Sequence, residues 1–166
     1  KAAPPMPDSL TDAARAVITE PDPAAKVALT RRFAAAWARR DIAGVGRTPL
    51  PDRPARPAAP ELRPPRDMAK RNPRSGAGRV AFLHAISHIE LNAIDLAWDM
   101  IARFAATGWP RAFFDDWARV GAEEAKHFTL LCGRLAALGA ATLFGLAAGW
   151  FFERVIVKPV YSDHLR

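Results

Sequence analysis

Two glutamates and a histidine in this sequence have the types and the spacing to hold a metal ion. Glu124-Ala-Lys-His127 is a Glu-x-x-His pair, and residues three apart on a helix face the same partner. Its helix carries an apolar stripe of Phe113, Trp117, Val120, Glu124, His127 or Phe128, Leu131 and Leu135. Glu90 interrupts a second stripe, formed by Leu83, Ile86, Ile94, Ala97 and Ile101. A lone ionised carboxylate on a core-facing stripe must be protonated or offset by a cation. Carboxylate-bridged dimetal sites in four-helix bundles take one Glu from each of two helices and Glu-x-x-His from each of the other two. Glu90 fits the first role and Glu124 with His127 the second. Glu123 falls with Arg119, Lys126 and Leu130 on a solvated face and is not counted as a ligand.

Other candidate groups are weaker. His84 and His88 are four apart, a spacing that can bind zinc, but Ala85 and Ile86 follow His84, so the His-Glu-x-x-His motif is absent. His88 reads as a hydrogen-bond partner of a ligating carboxylate, or as a direct ligand. Asp95 and Asp99 read as polar-face residues or as partners of a ligand. The single cysteine, Cys132, excludes an intramolecular disulfide framework, suits a reducing compartment and reads as a small helix residue.

Helices must position these groups. Asp8, Ser9 or Thr11 can cap a helix over Ser9 to Thr19. Asp22 and Pro23 open another that runs to Arg40, packed through Val27, Leu29, Phe33, Ala36 and Trp37. A third is expected over Gly78 to Ala106. Thr107-Gly-Trp-Pro110 closes it, with Gly108 suited to a positive φ and Pro110 opening the fourth. So short a link makes the last two helices antiparallel. Glu90 lies 18 residues before Gly108 and Glu124 lies 16 after it, so the two carboxylates are expected at similar heights.

The pattern predicts an all-α chain in four parts: accessory helices over 1–43, a basic proline-rich linker over 44–77, a helical hairpin over 78–139, and a hydrophobic tail over 140–166. Most of the 15 prolines cluster between Pro49 and Pro73 and favour extended backbone there, with Leu50, Leu62 and Met68 as anchors. The same stretch holds most of the net charge of +7, with nine Lys or Arg against three acids between Val45 and Arg79. It reads as a solvated linker. Few aromatics interleave with its arginines, which weakens a nucleic-acid reading. KAAPPMPDSL lacks the apolar core of a secretory signal. The uncharged run from Leu135 to Phe152 has 18 residues and meets the lower bound for a membrane-spanning helix; alternatively it extends the fourth helix.

HAISHIELNAIDLAWD and FFDDWARVGAEEAKHFTLLCGRL resemble a family of bacterial ferritin-like proteins of unassigned biochemical function, distant relatives of the di-iron hydroxylase that modifies tRNA. The resemblance runs from roughly Leu10 to Leu138. It implies a ferritin-like hairpin, half of a four-helix bundle, with Glu90, Glu124 and His127 as half the ligand set of a dinuclear iron centre (manganese being the other candidate ion) in an oxygen-activating oxidoreductase. Residues after Leu138 carry no second Glu-x-x-His, so a homodimer is expected to complete the set. Glu153 to Tyr161, ERVIVKPVY, resembles a segment of a branched-chain amino-acid transporter permease. That implies an alternative, a non-enzymatic fusion with a membrane-embedded tail. A cytoplasmic location follows from the first reading and an inner-membrane one from the second.

Overall fold

The computed structural model describes residues 5–57 and 75–138. The described residues form four α-helices and no strand: α1 Leu10–Ile18, α2 Pro23–Ala38, α3 Gly76–Arg103 and α4 Arg111–Ala137. The chain is all-α, as its periodicity implies. Leu62 and Met68 of the linker, and the tail beyond Leu138 with its permease-like element, lie outside the described residues. No helix among the described residues is long and apolar enough to cross a membrane.

The chain divides into two compact units, one of residues 1–57 with 93–126 and one of 58–92 with 127–166, and α3 and α4 run unbroken through the division. In the first unit, local chemistry sets the helix ends. Ser9 is extended and its Oγ accepts the Asp12 amide at 3.2 Å, while Asp22 accepts the Ala25 amide at 2.8 Å ahead of Pro23. α2 stops at Arg39. Arg40 then takes a φ of 69°, and the Asp41 amide reaches back to the Ala36 carbonyl at 2.9 Å, closing the helix in a left-handed cap that usually favours glycine.

The chain then doubles back over α1. The Leu10 and Thr11 amides donate to the Gly44 and Val45 carbonyls at 2.9 and 2.8 Å. Gly46, at φ 76°, lies so close to Ser9 that a Cβ would fall 2.4 Å from Ser9 Oγ, so no larger residue fits there without movement. Further on, the Ala55 amide donates to the Ile18 carbonyl. The first part of the expected linker is thus pinned to α1.

Apolar side chains from all four helices form this unit's core, among them Leu10, Val17, Phe33, Ile94, Trp98 and Phe114. At its centre is a buried ionic group. Lys26 and Asp95 are 1% and 4% exposed and paired, and Arg56 binds the other Asp95 oxygen. Two expectations are corrected here. Asp95 is a buried anion and not a polar-face residue, and Arg56 is not a solvated linker charge; a buried carboxylate requires cations, and these two meet it. Burial holds the Lys26 ammonium below its ordinary value, against the attraction of Asp95.

Trp98 locks α3 to its neighbours. Its Nε1 donates to Thr30 Oγ1 at 3.1 Å, and a Cβ on Gly121 of α4 would sit 3.2 Å from the same nitrogen, so the glycine lets α4 come close. Trp37 Nε1 donates to Asp115 Oδ1 at 2.8 Å while the Arg111 guanidinium lies 3.6 Å from the Trp37 ring centroid. Gly108 has the positive φ expected of it, 76°.

In the second unit, Ser75 opens α3 by accepting the Gly78 amide at 3.0 Å, two residues earlier than the expected start. The described core there is small: Leu91, Phe128 and Leu135.

Two outcomes test these contacts. Asp95→Ala leaves Lys26 buried without its carboxylate and should cost about 3–5 kcal/mol of unfolding free energy in urea titrations. Lys26→Met, which leaves Asp95 with Arg56, should cost less. Hydroxyl hydrogen bonds from Ser9 and Thr48, both 2.6 Å, hold the Asp12 carboxyl below its ordinary value of 3.8. A carboxylate favoured by the fold contributes stability above its unfolded value and loses it as pH falls through the folded one. Asp12→Asn should therefore flatten the fall in stability below about pH 3.8 in urea titrations run across that range.

Candidate metal centre

Glu90 lies on α3, and Glu124 and His127 lie on α4. The buried face of α4 is Phe114, Ala118, Gly121, Ala125, Phe128 and Leu135. The expected stripe, Phe113, Trp117, Val120, Glu124 and Leu131, lies about 100° to one side and is only half-buried. Packing favours the small residues of the first set because they let neighbouring backbones approach, and Phe113 instead joins an aromatic cluster with Phe104, Trp109, Phe114 and Trp117. The expectation that Glu124 and His127 point into the core is therefore corrected: they stand at its edge. Phe128, not His127, is the buried residue of the alternative pair.

Glu90 is half-buried on α3, whose buried residues include Ser87, His88, Leu91, Asn92, Ile94, Asp95, Ala97, Trp98 and Ile101. Its side chain is 20% exposed and that of His127 is 51% exposed; both belong to the second unit, and His127 Nδ1 lies 3.6 Å from Glu90 Oε2. Glu124 is half-buried, one turn before His127 on the same unbroken helix. Each of the three offers one ligand atom, and these atoms all lie within 4.8 Å of one another. Glu90, Glu124 and His127 are thus brought together. Glu123 is exposed and stands outside the group.

The spacing can be compared with what an ion needs. Imidazole nitrogens and carboxylate oxygens bind first-row divalent ions at about 2.1 Å, which puts donors of one ion about 3.0 Å apart at adjacent positions and about 4.2 Å apart at opposite ones. The 3.6 Å between His127 and Glu90 falls inside that range. All three ligand atoms lie within 4.8 Å of one another, close to that range. Two carboxylates and one imidazole suit iron or manganese, and the absence of thiolate from the set argues against a soft-metal or structural zinc site. The donor set therefore fits such an ion. Nδ1 of His127, facing Glu90, is the nitrogen placed to bind it, with Nε2 then carrying the ring proton.

His88 is held elsewhere. Two residues along a helix is about 200° of rotation, so it stands nearly opposite Glu90 on α3. It is buried, at 6% exposure, and Asn92 Nδ2 contacts both its backbone oxygen at 2.9 Å and its Nδ1 at 2.8 Å. A carbonyl oxygen only accepts, so the Asn92 atom is the amide nitrogen and His88 Nδ1 is an acceptor in this pair. That arrangement places the ring proton on Nε2 and separates His88 from the ligand group. His84 is half-buried and does not join it either. Asp99 is engaged by Arg103 at 2.8 Å.

Comparison with known proteins came to a family without an assigned role. The family model described as a protein of unknown function (DUF455) matches residues 19–146. An uncharacterised protein of Haemophilus influenzae is 43% identical over 88 residues, covering 50% of this chain and 31% of the relative, so the match spans less than a third of that protein's length. No solved structure matches the chain.

Cys132 is half-buried in α4, one turn beyond Phe128, and burial pushes its thiol above the ordinary 9.0. A thiol so shifted holds little thiolate at neutral pH. In the folded protein at pH 7.5 it should react with iodoacetamide several-fold more slowly than after unfolding in urea, as mass spectrometry of quenched aliquots would show.

Proposed function

We propose that this chain, which belongs to the family of unknown function (DUF455) matched over residues 19–146, is a metal-binding helical protein whose ion is held by Glu90, Glu124 and His127. The observation that carries the reading is that two carboxylates and an imidazole, from two helices, converge to within 4.8 Å. Their resemblance to the ligands of a ferritin-like hairpin favours iron, with manganese as the other candidate, and an oxidoreductase of the hydroxylase kind as the activity. When bound, such an ion would supply oxygen activation.

The chain's own residues supply the rest. Glu90 and Glu124 would offset the charge of such an ion. His127 would add an imidazole donor, and its side chain is 51% exposed. Spacing along α4 fixes Glu124 and His127 in register, so neither depends on loop geometry.

Anaerobic titration of the purified protein with ferrous iron, followed by dialysis and elemental analysis, tests this. The wild type should retain iron in stoichiometric amount, and Glu124→Gln should reduce retention at least tenfold while keeping the helical circular-dichroism spectrum. Equal retention by wild type and Glu124→Gln would overturn the assignment.

A further inference from the structure

We propose that Trp117 and Trp109 form a redox relay, passing an electron from the protein surface toward the ion held at Glu124. The proposal rests on the metal reading above and names how an oxidising equivalent leaves that same site.

The half-buried stripe of α4 supplies the track. Trp117 lies seven residues before Glu124, about 10 Å along the helix and about 20° around it. Phe113 lies eleven residues before Glu124, about 20° to the other side. Trp109, just ahead of α4, stacks on Phe113 with ring centroids 5.5 Å apart and planes 15° apart. Phe113 in turn meets Trp117 edge-on at 6.3 Å. Trp109 is 54% exposed. A line of touching rings therefore runs from solvent along the face that carries Glu124. All four residues belong to the first unit.

Indole rings give up an electron far more readily than phenyl rings or aliphatic groups. Electron tunnelling weakens steeply with distance, so two short steps through Trp117 outrun one long step from the surface. The step balances with a peroxide as oxidant. The peroxide takes one electron from a ferrous ion and one from Trp117, and with two protons it leaves as two waters. Trp109 then refills Trp117 across Phe113, and its indole N–H proton goes to solvent. The neutral radical left on Trp109 is quenched by a hydrogen atom from an external thiol. Two other tryptophans of this unit are poorer relays. The Arg111 guanidinium lies 3.6 Å from the Trp37 ring centroid, and a cation there opposes positive charge on the ring. Trp98 is fully buried with its N–H on the Thr30 hydroxyl, which is no base, so its proton has no exit.

Radical trapping on the full chain tests this. Ferrous-loaded protein, desalted to remove unbound iron, is mixed with one equivalent of hydrogen peroxide per iron and a nitroso spin trap. The trap bonds to a ring carbon of an indolyl radical, and peptide mass spectrometry locates the adduct. It should lie on Trp109 in the wild type. Trp117→Phe should lower that adduct at least fivefold, with iron content and the helical circular-dichroism spectrum unchanged. Trp109→Phe, at an exposed position, should leave folding intact and move the adduct to Trp117. An adduct on Trp109 that Trp117→Phe does not lower overturns the relay and leaves the metal reading standing. So does an iron-loaded wild type with no adduct, or with the adduct on Trp37 or Trp98 in place of Trp109. A wild-type protein that retains no iron overturns both.

Discussion

The arrangement depends on a buried anion. Asp95 sits in the middle of α3 with its oxygens divided between Lys26 of α2 and Arg56 of the extended segment after α2. A carboxylate so buried needs cationic partners, and the two it has tie together three segments far apart in sequence. One turn further along, Trp98 extends the same tie to Thr30, and the missing side chain of Gly121 lets α4 come in against it. These contacts fix the rotation of α3 and α4 about their own axes.

The same physics explains why the ligand group is at an edge. α4 packs through Ala118, Gly121 and Ala125, and a helix that turns its smallest residues inward presents its neighbouring stripe at the boundary with solvent. Glu124 and His127 belong to that neighbouring stripe. At the boundary a carboxylate need not be neutralised to be tolerated, so the group can exist ion-free, with His127 Nδ1 near Glu90 Oε2. An edge position is also reachable from solvent, which a sealed core position is not.

Much of this was legible in the sequence where the cause was local. Asp22 and Pro23 open a helix through their own side chain and backbone, and Gly108 turns the chain through its own φ, so local sequence located them. For the first helix it left Asp8, Ser9 and Thr11 open, and the structure uses Ser9. The meeting of Glu90 with Glu124 and His127 followed from counting outward from Gly108 on two straight helices. What could not be read depended on distant partners. Lys26 looks like any solvated lysine until Asp95, 69 residues away, is seen beside it. Arg56 was indistinguishable from its basic neighbours for the same reason. α4 offered two adjacent apolar stripes, and hydrophobicity ranked the larger one first; the need for close approach at Trp98 chose the other. His88 reads from sequence as a partner of a ligating carboxylate or as a ligand, but it stands nearly opposite Glu90 on α3 and its ring contacts Asn92.

X-ray absorption at the iron edge of the loaded protein addresses the central claim most directly. Carboxylate and imidazole ligation predicts a first shell of oxygen and nitrogen near 2.1 Å with the outer scattering of an imidazole ring, and loss of that outer scattering in His127→Ala. A shell containing sulfur, or an imidazole signal unchanged by His127→Ala, would contradict it.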